Sequence, residues 1–286
     1  MSANDTATLQ LALYLEHLEY ALYSQGYSNY SEAAFEAAGF PSGFRDSVNV
    51  IAQQELIHAT TITQVLEENG VTPVPPCTYK FPSTDPVSFV DLSNMVTTVG
   101  IGAYIGGSTF VSDNPTLLTT AASILTNEAR HDAFLRAGVQ LDPFPTAFDQ
   151  FLTAVWAYNL AQAFIVSCPQ PLPIIVLPTL TLTSPTPAPK NTSAPAGTPL
   201  EFAWDPSKYF VPVSPDEPLY IALVNNNSAP IFQEVQSTGS GSGSVPLPAN
   251  VTGVAFAVLT TFAGGLDVNA LTSYGTLAGP AEVVIT

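Results

Sequence analysis

Basic side chains are scarce: 23 Asp and Glu face only 6 Lys and Arg, for a net charge of −17 in 286 residues. That imbalance argues against nucleic acid and anionic membrane surfaces as partners, because both would repel the chain. Cysteine is nearly absent too. Cys77 and Cys168 lie far apart and neither belongs to a Cys-x-x-Cys pair, which leaves a disulfide or two inert thiols, the disulfide being preferred. No apolar run approaches the roughly 18 residues needed to span a bilayer. The opening MSANDTATLQ has neither the basic nor the apolar region of a secretory signal, as expected of a mature chain carrying an added start Met. What is present points outward. Acidic composition, little Lys and Asn-x-Ser/Thr acceptors at Asn4, Asn29, Asn191, Asn226 and Asn250 together suggest a secreted glycoprotein in an oxidising setting.

Hydrophobic residues make up 46% of the chain, enough to bury a core in each of two domains. The first 170 or so residues carry helical periodicity. One helix is expected from about Asp5 or Thr6 to Gln25, with a ridge of Leu11, Leu15, Leu18 and Leu22 beside a second stripe holding Glu16, Glu19 and Tyr23. A second runs from about Phe44 to Asn69, where Val48, Ile51, Glu55, His58, Ile62 and Val65 share one seam. The third, about Val87 to Val111, has Asn94, Thr97, Ile101, Tyr104 and Ser108 on its seam and no carboxylate. The fourth, opened by Asp113-Asn114-Pro115 and ending near Gly138, repeats the second: Leu117, Ala121, Ile124, Glu128, His131 and Leu135. A fifth is expected from about Ala147 to Ser167.

After the helices the composition changes. Pro, Thr and Ser dominate residues 173–197, read as a linker, and short β-branched or aromatic runs (LEFAW, YIALV, SVPLP, GVAFAVLTT, AEVVIT) follow over 198–286, read as a small antiparallel, Ig-like β-sandwich. STGSGSGS at 237–244 reads as a flexible hairpin or loop tip. The expected order is a helical bundle over 1–172, the linker, and the sandwich.

The chemistry lies in the two Glu-x-x-His pairs. Residues three apart share a helix face, so Glu55 with His58 and Glu128 with His131 each direct an oxygen and a nitrogen donor at one point. A single buried carboxylate is costly without a partner or a metal, and these two pairs sit on apolar seams. Two such helices, with one Glu from each of two others, form the di-metal carboxylate arrangement of a four-helix bundle, suited to iron, manganese or zinc.

The residues also carry a resemblance. LEHLEYALY (15–23), QELIHATTI (54–62), CTYKFP (77–82), VGIGAYIGG (99–107) and ILTNEARHDAFLR (124–136) resemble the ferritin-like superfamily, and within it the secreted fungal group of Rds1-like stress-response and desiccation-related proteins. The resemblance covers all five helices and both cysteines. It implies a ferritin-like bundle in which Glu55, His58, Glu128 and His131 bind metal, joined from the first helix by Glu19 with Glu16 its neighbour. It also implies a carboxylate on the third helix, where this chain has Thr97-Thr98-Val99-Gly100. One or two ions are therefore expected, with Tyr23, Tyr104 and Thr97 around them, and Arg130 is expected to pair with an acid such as Asp132.

Two functions follow. One is metal-centred redox chemistry on dioxygen or peroxide. The other is a non-catalytic stress or cell-wall role with a degenerate metal site and a sandwich that binds glycan or protein. A ferritin cage is not expected, since an appended sandwich would crowd the shell.

Overall fold

A computed structural model describes residues 1–184 and 194–285 of the chain, so the acceptor Asn191 lies outside the described residues. The fold is helical first and antiparallel β afterwards, and it divides into two compact units.

The first unit comprises Met1–Val139 and Ala161–Ile174. Its bundle is made of α1 (Ala3–Asn29), α3 (Phe44–Glu68), α4 (Pro86–Ser108) and α5 (Pro115–Gly138). Each start has a local cause. Ser2 and Asp5 form a capping box on α1, Asp85 and Ser88 do so on α4 ahead of Pro86, and Asn114 caps α5 ahead of Pro115. Within the bundle α1 packs on α3 and α4, and α4 on α5. The loop expected between the first two long helices contains the short α2 (Glu32–Ala37), capped by Ser31, whose sole buried residue is Phe35. That ring meets Phe40, Phe44 and Phe89, which seals one end of the bundle.

Gly26 of α1 is what lets Phe89 in: a Cβ there would sit 2.1 Å from the ring. Alanine gains about 1 kcal/mol over glycine in a helix, but Phe89 is fully buried and cannot retreat. Overpacking costs of about 1–3 kcal/mol therefore win. Gly26→Ala is expected to lose up to about 2 kcal/mol net. A lower urea midpoint at unchanged slope would show it, and a raised midpoint would refute it.

Cys77 and Cys168 form a disulfide. Beside it β1 (Thr78–Tyr79) pairs with β2 (Ile165–Ser167), and Lys80 N donates to the Phe164 carbonyl at 2.9 Å.

The expected fifth helix, Ala147 to Ser167, is shorter in the structure: α6 spans Ala154–Ala161, followed by a 3-10 turn at Gln162–Phe164 and then β2. Residues 147–153 are not helical because their polar groups bond elsewhere. Phe148 N donates to Asn226 Oδ1, and Gln150 Oε1 accepts from Asn227 N. At the other end Ile165 and Val166 suit the strand they form better than a helix.

The second unit comprises Gln140–Leu160 and the chain from Ile175 onward. It is a sandwich of two four-stranded antiparallel sheets. One has the order β10 (Ala278–Ile285), β9 (Gly253–Thr260), β5 (Tyr220–Val224), β6 (Ile231–Glu234); the other β3 (Leu180–Ser184), β4 (Pro199–Trp204), β8 (Ser242–Pro246), β7 (Gln236–Gly239). Leu180, Leu200, Phe202 and Val245 from one sheet meet Ile221, Leu223, Ala257 and Val283 from the other in one core. In β4, Leu200 and Phe202 point in and Glu201 out, the period-2 pattern of a half-buried strand.

One expectation changes here. The span 173–197 read as linker contains β3, which pairs Leu180 with Trp204 and Leu182 with Phe202. Leucine and threonine alternate there, and the buried Leu180 draws the segment into the sheet. Of the two forms expected for the Ser/Gly tract at 237–244, hairpin or loop tip, the structure has the hairpin. The tract makes most of the β7–β8 hairpin, turning at Gly241 with φ +80°.

Candidate metal centre

Every long helix brings polar groups to the middle of the bundle, and the helical period decides which. On α3, Glu55 and His58 lie one turn apart on the face that buries Val48, Ile51 and Ile62. On α5, Glu128 and His131 share the face of Ile124 and Leu135. On α1, Glu16 and Glu19 are also one turn apart, and both are buried. Helix α4 contributes Asn94, Thr97 and Tyr104, and no acid.

Four carboxylates and two imidazoles thus face one another in the interior of the bundle, all buried except the partly exposed His58. His58 Nδ1 lies 3.0 Å from Glu55 Oε2, 3.1 Å from Glu128 Oε1 and 3.4 Å from Glu16 Oε2. His131 Nδ1 lies 3.0 Å from Glu55 Oε1 and 3.2 Å from Glu128 Oε2. One N–H serves one acceptor well, so the imidazoles cannot satisfy this many oxygens. Oε2 of Glu16 and Oε1 of Glu19, Glu55 and Glu128 are buried without a hydrogen-bond donor. Buried, unpartnered carboxylate oxygens converging on ring nitrogens are costly unless a cation joins them.

The electrostatics carry the same strain. Burial pushes the Glu16 carboxyl up to about 8, with the charges of Glu55 and Glu128 adding to it. Burial also raises Glu19, helped by Glu128, Glu55 and Glu16. Glu55 is held low, at about 2, because hydrogen bonds from His131 and His58 outweigh its burial. Against the desolvation that would lower them, carboxylate hydrogen bonds raise His58 to about 12 and His131 to about 9.

One donor atom from each of Glu16, Glu55, His58 and Glu128 falls within 4.8 Å of the others. Glu19 and His131 stand outside that foursome, and the α1 residue within it is Glu16. The cause is on α4: Tyr104 donates its hydroxyl to Glu16 Oε1, which anchors that carboxylate beside His58. Glu19 instead turns to Gly100, where a Cβ would lie 2.7 Å from its Oε1. Thr97 shares a 2.6 Å hydrogen bond with Tyr23.

Several surrounding groups had no signal in the helical period. Gln54 Oε1, an acceptor, and Asn127 Nδ2, a donor, both lie 2.7 Å from His131 Nε2, so this outer nitrogen has a partner in either tautomer while Nδ1 faces the glutamates. Arg130 donates to the Thr126 carbonyl and Asn127 Oδ1, while Asp132 accepts from Asn94 and Thr98. Outside this shell a cleft of about 480 Å³ reaches His58, lined by hydroxyls such as Thr61, Thr120 and Ser123 and by Arg130. Among the acceptor asparagines, Asn4, Asn29 and Asn250 are exposed, whereas Asn226 is half-buried.

The family model described as a ferritin-like domain matches residues 4–141. Protein rds1 of Schizosaccharomyces pombe is 27% identical over 282 residues, covering 86% of this chain and 69% of that protein. A ferritin-like diiron-carboxylate protein from Bacillus anthracis shares 15% identity, with 49% of this chain and 99% of that one superposed at a TM-score of 0.43. A dodecameric thioferritin from Bacteroides fragilis shares 23%, covering 46% and 82%, at 0.41.

Proposed function

Since residues 4–141 are a ferritin-like domain, we propose that its core binds one or two transition-metal ions, iron, manganese or zinc, through Glu16, Glu19, Glu55, His58, Glu128 and His131. The observation that carries this reading is the set of buried carboxylate oxygens left without donors around two imidazoles. Hard oxygen and imidazole nitrogen suit those three metals. Iron or manganese held there supplies redox chemistry with dioxygen or peroxide.

The chain's own residues would do the rest. Glu55 and Glu128 each place one oxygen by His58 and the other by His131, so both span the site. Gln54 orients His131 through its outer nitrogen. The apolar helix faces keep bulk water away, and the cleft at His58 offers a small polar molecule a way in. The disulfide and the exposed acceptor asparagines support a secreted, glycosylated protein.

A second reading rests on α4, which brings Thr97 where a carboxylate was expected. In it the scaffold persists without catalysis, as a stress or wall protein whose sandwich binds glycan or another protein. Elemental analysis separates the two. The purified chain should hold roughly one to two Fe, Mn or Zn per molecule, or take them up when supplied, and Glu128→Ala/His131→Ala should lose them. A folded chain that cannot be loaded with any of the three leaves only the second reading.

A further inference from the structure

The Glu16 carboxylate is the one acid of this centre that α4 holds in place, although α1 supplies it. We infer that Glu16 replaces the carboxylate α4 lacks, making the centre a pair of unequal metal positions in which the one at Glu16 and His58 fills first, with Tyr104 as its positioning residue. This rests on the metal-binding reading above.

Three observations carry it. First, α4 brings no acid to the middle of the bundle, where its buried polar residues are Ser93, Asn94 and Thr97, and it has no room for one beside Glu19, because a Cβ at Gly100 would already crowd Glu19 Oε1 at 2.7 Å. Second, Tyr104 donates to Oε1 of Glu16, so Oε2 is the oxygen presented without a partner, buried and 3.4 Å from His58 Nδ1. Glu16 is therefore a terminal ligand at one end of the centre. Third, Glu55 and Glu128 reach both imidazoles, so they serve both positions equally and cannot make them differ.

The difference must come from the terminal groups. At the His58 end, Glu16, Glu55, His58 and Glu128 already bring four donors within 4.8 Å. The remaining acid, Glu19, lies outside that set and packs on Gly100, which leaves it as the acid for the second position. Four carboxylates also neutralise two dications, and here α1 supplies two of them, Glu16 and Glu19, with Glu55 and Glu128 the others. The first position is assembled before any ion arrives, and the second must still draw Glu19 in.

Calorimetric titration of the metal-free full-length chain with Mn(II), read alongside the Mn(II) electron paramagnetic resonance signal, tests this. Wild type should show a tight and a weak step. Glu16→Gln should abolish the tight step or weaken it at least roughly 100-fold, Glu19→Gln should remove only the weak step, and Tyr104→Phe should weaken the tight step about 10-fold. Circular dichroism melts of the three variants confirm that each is folded. Two equal steps in wild type, or a Glu16→Gln protein that titrates like wild type, would overturn the inference while leaving the metal-binding reading intact. A wild-type chain that takes up no Mn(II), Fe(II) or Zn(II) overturns both.

Discussion

Replacing Cys77 and Cys168 by serine should lower the stability of the helical unit by about 4–5 kcal/mol, a large share of the roughly 5–15 kcal/mol that holds a domain folded. The two residues are 91 apart in sequence, and a bridge that closes so long a loop removes much of the unfolded chain's freedom. The other ties between the segments it joins include a short strand pair, the Phe81–Phe164 ring contact and single hydrogen bonds. The β1–β2 ladder has two and three residues on its strands, and an isolated pair of strands is marginal in water. Beyond the ladder there are Lys80 N to the Phe164 carbonyl, the Gln162 amide donating to Tyr14, and Tyr14 against Cys168 Sγ at 3.4 Å. At about 1 kcal/mol for each hydrogen bond, these do not substitute for the bridge. Guanidinium unfolding of the double variant, and of wild type with and without reductant, measures the effect. Coincident midpoints in all three would mean the denatured chain keeps these segments together without the bond.

The acids and imidazoles of the core were legible in the sequence because helix geometry is local: positions three apart face the same way whatever surrounds them. Glu55 with His58 and Glu128 with His131 could be placed on buried seams for that reason alone. The choice between Glu16 and Glu19 was not legible. It depends on a phenol 88 residues away, which fixes one of two equally inward carboxylates. Gln54 and Asn127 were missed because neither lies on an apolar stripe. The short α6 and the strand β3 share a further cause. Composition marked 147–167 as helical and 173–197 as linker, but partners distant in sequence decide both: Asn226 and Asn227 hold the first segment out of a helix, and β4 draws Leu180–Ser184 into a sheet.

In the metal-free protein, raising the pH from 6 to 9 should destabilise the bundle, the opposite of what most acidic proteins show on leaving the acid range. Folding raises the affinity of Glu16, Glu19, His58 and His131 for protons. An unfolded chain releases its glutamate protons near 4.3 and its histidine protons near 6.5. The folded chain keeps one on Glu16 to about 8 and one on His131 to about 9. The native state therefore binds more protons across this window, and stability falls as pH rises. Glu55 has the opposite sign, since its low value of about 2 supplies stability that is lost only in acid, outside the window. If one extra proton is held throughout, the loss is about 1.4 kcal/mol per pH unit, which corresponds to a fall in Tm on the order of 10 °C over three units. Bound dications should flatten the slope, because they take the place of those protons and bind more tightly as protons leave. Glu16→Gln should flatten it in part without any metal, since glutamine carries no proton to lose. A metal-free Tm that is constant or rises from pH 6 to 9 would show that the carboxylates are neutralised by something other than protons, and would remove the electrostatic reason for a cation at this site.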